Sequence, residues 1–146
     1  MLAWSTEARA LLHIENRTRF PDLQEMAGSF NAKCRYLAND LARQEGLPPF
    51  RSETHVIAAL WSSEVLHALR LRPATFRSLC PHASDALMAW LVGRPPERGM
   101  VRTFVLLDPL AQGRQRAFAD LDAALAGARP RVVGYRQAAA RLGQRG

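Results

Sequence analysis

Residues 9–17 read Arg-Ala-Leu-Leu-His-Ile-Glu-Asn-Arg, and residues 54–61 read Thr-His-Val-Ile-Ala-Ala-Leu-Trp. The first stretch alternates. Leu12 and Ile14 fall on one side of an extended chain, and His13, Glu15 and Arg17 fall on the other, as a strand of period two requires. The second stretch is nearly continuous in apolar residues, the pattern of a central strand covered on both faces. Between them, Phe20-Pro21-Asp22 stops the first strand. Asp22 is a helix N-cap, with Glu25 placed to complete a capping box. Leu23, Met26, Ala27, Phe30, Cys34, Leu37, Ala38 and Leu41 then recur at helical spacing as one apolar stripe, and Gly46 with Pro48-Pro49 ends the helix. Strand, long helix and buried strand make a βαβ unit, with parallel strands and a right-handed crossover.

Upstream, Leu2–Trp4 is a short apolar stretch and Ser5–Ala8 is polar enough to turn, so the N-terminus reads as a hairpin with Trp4 facing Arg9 and Leu2 facing Leu11. Downstream, Ser62-Ser63 caps a helix to about Leu71, and Pro73 breaks it. A short helix covers Thr75–Leu79, and Ser84 caps another through Val92. The loop Arg94–Gly99 leads to a third strand at Val101–Leu107. Gln112–Ala126 reads as one helix with Phe118, Leu121 and Leu125 inward. The arginine-bearing, alanine-rich end after Pro130 shows no assignable pattern. The expected fold class is α/β, with a mixed sheet, an N-terminal hairpin, a βαβ unit and flanking helices in a single domain spanning 1–146.

The chain of 146 residues is long enough for one ordinary core, and at 48% apolar and 23% charged it has a globular composition. No apolar run reaches the about 18 residues of a membrane span. Glu7, Arg9, His13 and Glu15 interrupt any signal-peptide core, so the expected location is cytoplasmic. The two cysteines, Cys34 and Cys80, read as small buried residues in a reducing compartment. The net charge of +7 is unevenly placed. Met1–Val65 carries seven basic against eight acidic residues, whereas Pro109 onward has seven arginines against Asp120 and Asp122. Such asymmetry favours an anionic partner. A GC-rich genome gives the same excess of arginine over lysine without any function behind it.

Glu15 and Arg17 are two apart on a strand and therefore point the same way. They stand on the second strand of a hairpin, ahead of a long helix and a parallel buried strand. In this order the chain resembles the PD-(D/E)XK nuclease superfamily over about Leu2–Trp61, which leaves 62–146 as a family-specific extension with a basic C-terminal end. The resemblance implies a restriction-endonuclease-like sheet. It also implies that Glu15 is the acidic ligand of a catalytic magnesium ion, the ion that activates water against a phosphodiester. Arg17 then occupies the motif's lysine position, where a guanidinium clamps phosphate but does not act as a base. Lys33, the chain's one lysine, lies at the edge of the helix stripe within reach of the same pocket. Arg17, Arg19, Lys33 and Arg35 are the candidate nucleic-acid contacts.

The acid that the family places on the preceding strand has no residue here, since the position facing Glu15 falls about two residues before Met1. The expected function is a nuclease-like domain that binds or acts on nucleic acid with impaired or absent catalysis. One alternative is an active magnesium-dependent DNA nuclease with a missing N-terminal segment, its second carboxylate coming from an upstream extension or from an acid that folds in, such as Glu53 or Glu64. Another is a protein-interaction domain of a bacterial regulatory system. Zinc has no Cys-x-x-Cys or His-x-x-x-His spacing to hold it, and no glycine-rich phosphate loop occurs. His55 and His67 read as satisfied near-core histidines, Gln24 and Asn31 as polar residues beside the helix stripe.

Overall fold

The computed structural model describes residues 1–145. The chain opens with β1 (Leu2–Ser5), turns through residues 6–9 and returns antiparallel as β2 (Ala10–Arg17). The hairpin register differs from the sequence expectation: Trp4 lies opposite Leu11 and Leu2 opposite His13. The turn is the reason. Arg9 adopts φ 50°, a left-handed conformation that a residue with a side chain rarely takes. Its guanidinium donates to the Pro49 carbonyl at 2.9 Å, and its own carbonyl accepts from the Arg51 N–H at 2.7 Å. Arg9 is thereby drawn out of the strand and into the turn. The position opposite Glu15 falls immediately before Met1, because Met1 itself pairs with Ile14.

Helix α1 (Leu23–Glu45) starts where its cap predicts, with the Asp22 carboxylate accepting from the Glu25 N–H at 2.8 Å. It stops at Gly46, whose φ of 62° lets its N–H turn back onto the Ala42 and Arg43 carbonyls. Met26, Phe30, Cys34, Ala38 and Leu41 are buried along one side of it. Asp22→Ala leaves that first-turn amide without its acceptor and is expected to cost about 1 kcal/mol, read as a lowered midpoint in thermal and urea unfolding.

β3 (Ser52–Leu60) pairs parallel with β2 and is buried almost throughout. The Ser62 hydroxyl accepts from the Val65 N–H to cap α2 (Ser63–Leu71). α3 (Pro73–Leu79) begins at Pro73 itself, since a proline that ends one helix is well suited to the first position of the next. α4 (Asp85–Leu91) and β4 (Gly99–Leu107) follow, the latter parallel to β3.

The single helix expected over Gln112–Ala126 is not formed. The segment divides into α5 (Arg114–Ala117), a short strand β5 (Phe118–Asp120) and α6 (Leu121–Leu125). β5 adds to the sheet edge with Phe118 opposite Leu107, and the Asp120 carboxylate accepts from the Ala123 N–H to start α6 afresh. Pairing with β4 and a new cap override a periodicity that suits one helix. The arginine-rich end forms α7 (Tyr135–Gly143).

The sheet order is β1-β2-β3-β4-β5, with three parallel central strands and an antiparallel strand at each edge. One face packs Ile57, Ala59, Phe104 and Leu106 against α1, α2, α3 and α6, so residues on both sides of Trp61 share the main core. The other face packs Leu12, Val56, Ala58 and Val105 against Leu87 of α4. Among the described residues, no helix is long and apolar enough to cross a membrane.

Candidate functional site

The odd-numbered side chains of β2 and β3 meet α1, and not all of them are apolar. His13, Glu15 and His55 are buried there, although the alternation in β2 alone is that of a strand with a solvated polar side. α1 covers this side, and the polar groups satisfy one another. Glu15 Oε2 accepts from Arg17 Nη2 at 2.7 Å, and Oε1 accepts from Lys33 Nζ at 2.6 Å. The Glu15 side chain is 6% exposed, against 33% for Arg17 and 45% for Lys33. Burial by itself pushes the Glu15 carboxyl up. The hydrogen bonds from Lys33 and Arg17, with their charges, outweigh it and leave the group below the usual carboxylate range. Lys33 reaches Glu15 because it lies one helical turn from Phe30, on the flank of the stripe that faces β2.

A second chain of contacts runs inward from the same carboxylate. His13 Nε2 stands 3.7 Å from Glu15 Oε1. Parallel pairing sets His13 opposite His55, with the two Nδ1 atoms 3.1 Å apart, and His55 Nε2 lies 3.0 Å from Glu53 Oε2. Phe30 packs against both imidazoles, with ring centroids at 6.2 and 6.5 Å. The proton count follows from the partners. Glu53 as an acceptor requires a hydrogen on His55 Nε2. A neutral His55 then has a bare Nδ1 that accepts from His13 Nδ1–H. A neutral His13 accords with its pKa of about 4, lowered first by burial and then by His55.

The candidate residues are therefore only partly united. Glu15, Arg17 and Lys33 form one cluster. Arg35 does not join them, because it lies about 200° round the helix from Lys33; it is exposed, with its guanidinium over Tyr36 at 5.9 Å. Arg19 is exposed just beyond β2. Neither proposed second carboxylate meets Glu15. Glu53 sits opposite Leu11, about 13 Å back along the strand, and Glu64 is on the first turn of α2. With both oxygens of Glu15 occupied by cations and no second acid grouped with it among the described residues, these donors do not fit a magnesium ion. Among the described residues, no group of three or more His, Cys, Asp or Glu is arranged to hold a metal ion.

Asn31 accepts from Arg102 at 3.1 Å, and Gln24 is exposed. His55 is a satisfied core histidine, whereas His67 is exposed on α2, a correction to the expectation that both lie near the core. Cys34 and Cys80 are buried free thiols whose pKa burial pushes up to about 12.

Sequence reasoning missed two features. The His13–His55–Glu53 chain was encoded as His-x-Glu on one strand and Glu-x-His on the other, which alternation puts on one side once the strands are known to be parallel. The second is where the arginine-rich end goes. Residues 131–132 dock beside the start of α2: Val132 bridges Ser62, Arg131 N–H donates to the Trp61 carbonyl, and the Arg131 guanidinium lies 4.8 Å over the Trp61 ring. This brings α7 to the carboxyl ends of the parallel strands.

Three hollows are lined by arginines from these segments. Arg17 and Arg19 line the first with Asp22 and Glu25. Arg19 is shared with the second, an open hollow of about 650 Å³ that includes Glu64, Tyr135 and Arg136. The other end of α7 supplies Arg141 and Arg145 to the third, with Arg131 and Asp108. Asp22 is engaged as a helix cap, and Asp108 accepts from the Leu110 N–H.

Comparisons with protein-family models, with curated proteins and with solved structures find no match.

Proposed function

We propose that this chain is a nuclease-like α/β domain of the PD-(D/E)XK kind that binds nucleic acid through the carboxyl edge of its parallel strands and does not cut it. The observation that carries the reading is the set of Arg17, Arg19 and Arg136 in two hollows that share Arg19, with Arg131, Arg141 and Arg145 lining a third. They come from both ends of the sequence, those of the first two hollows lying at or just past the carboxyl end of β2 and beside the start of α2. Arginine forks suit phosphate oxygens. The likeness to the nuclease superfamily rests on the order hairpin, helix, parallel strand, and on Glu15, Arg17 and Lys33 meeting at the expected corner. The absence of cleavage follows from a carboxylate already neutralised by two cations, with no second acid grouped with it among the described residues.

Fluorescence anisotropy with a labelled oligonucleotide tests this. Binding is expected with Kd on the order of 10 µM at physiological salt, and log K should fall against log salt with a slope of about −3. Arg19→Glu combined with Arg136→Glu should remove about two units of that slope. Plasmid DNA should stay intact with magnesium or manganese. Binding that is undetectable at low salt, or a slope unmoved by the double variant, would overturn the reading.

A further inference from the structure

Phe20 of the first hollow packs against Phe76 and Phe104, whereas the hollow beside it, lined by Arg19 and Arg136, holds a freely exposed aromatic ring. Tyr135 is 61% exposed on its wall, between Arg136 of the same helix and Arg19 beyond β2. Among the described residues, neither Arg19 nor Arg136 has an ion-pair partner. Glu64 lines the same hollow beside Gly134: its Oε2 lies 3.1 Å from where a Cβ on Gly134 would be, so glycine at 134 leaves the space this carboxylate occupies. The volume of about 650 Å³ lies within the range of small-ligand sites and suits one nucleotide.

Building on the nucleic-acid reading above, we infer that this hollow takes a single unstacked base of a single-stranded nucleic acid. The base lies on the face of Tyr135, its flanking phosphates meet Arg19 and Arg136, and Glu64 accepts from N–H groups on its Watson–Crick edge. Each group supplies a different recognition chemistry. A ring this exposed has no core to pack into, and base-on-aromatic stacking uses such a surface. In a duplex both base faces are already stacked and the Watson–Crick edge is paired, so neither Tyr135 nor Glu64 has anything to recognise. A carboxylate accepts only, and guanine alone presents a ring N–H and an amino group side by side. Guanine is therefore the base expected to bind best.

The test compares single-stranded and duplex oligonucleotides of one sequence, by anisotropy at one salt concentration, with the native protein, Tyr135→Ala and Tyr135→Phe. The single strand should bind more tightly. Tyr135→Ala should lower its affinity about tenfold or more and leave duplex affinity unchanged, and Tyr135→Phe should behave as native. A guanine placed in a thymine background should raise affinity, and Glu64→Gln should erase that gain. Equal binding of both forms, or a Tyr135→Ala loss shared equally by both, overturns this inference while the nucleic-acid reading stands. A guanine gain that survives Glu64→Gln removes Glu64 from the site. No binding of either form overturns the proposed function itself.

Discussion

Replacing both Arg17 and Lys33 by methionine is expected to lower the stability of the fold by about 3–5 kcal/mol, the cost of leaving a buried charge unpaired. Each single replacement should cost less, about 1–2 kcal/mol, because the other cation still holds one carboxylate oxygen. The inequality comes from exposure. Glu15 is 6% exposed, whereas its partners retain 33% and 45% of their exposure, so the anion depends on the cations more than they depend on it. Adding Glu15→Met to the double variant should restore most of the loss, since an apolar side chain suits the space under α1.

The pH dependence of this difference has a definite sign. In the native chain the Glu15 carboxyl titrates below its unfolded value, so its contribution is present above that value and lost as pH falls through the folded one. In the double variant only burial remains and the shift reverses. The gap between the two proteins should therefore begin to narrow above the unfolded carboxyl value of about 4, where the variant's raised carboxyl takes up its proton, and narrow further below it. Urea unfolding at neutral pH and near pH 4 checks both statements. A double variant as stable as the native protein would mean that the cluster is solvated rather than structural.

Stability should also fall by about 3 kcal/mol at most as the pH is lowered from 6.5 to about 4, because His13 is neutral in the fold. Burial opposes a charge on this ring, and His55 adds to the opposition; Glu15 pulls the other way without prevailing. The folded value lies below the unfolded one. Within that window the unfolded chain therefore binds more protons, and stability rises with pH. His13→Gln keeps a donor for His55 Nδ1 and removes this titration, so its stability should change less with pH than that of the native protein across the same window. Urea midpoints at several pH values for the two proteins measure this. A native curve as flat as that of the variant would assign the proton to a shared imidazole pair that stays charged.

The parts of the fold legible in the sequence are those whose signals are local. α1 could be read to within its caps, because Asp22, the apolar stripe and Gly46 act on their own backbone neighbours. β3 could be read because Val56–Leu60 is an unbroken apolar run, as a strand buried on both faces requires. β5 could not, because Phe118–Asp120 is extended only through its pairing with β4. α7 was hidden for a different reason. Ala138 is its one buried residue, and a helix that buries so little leaves no stripe to find. The hairpin register was missed because Arg9 is held in the turn by Pro49 and Arg51, which lie 40 positions or more along the chain.

By itself the sequence determined a βαβ core behind an N-terminal hairpin, and it put Glu15 and Arg17 on the same side of one strand. Both follow from short-range periodicity, which any extended or helical backbone must obey. Only the tertiary structure decided that this side is covered by α1, that Lys33 completes the Glu15 cluster and that His13 meets His55. It alone brings Arg136 to a hollow that shares Arg19 with the hollow of Arg17. These are contacts between elements far apart in the chain, fixed by sheet register and by which apolar faces are buried together, and no local pattern encodes them.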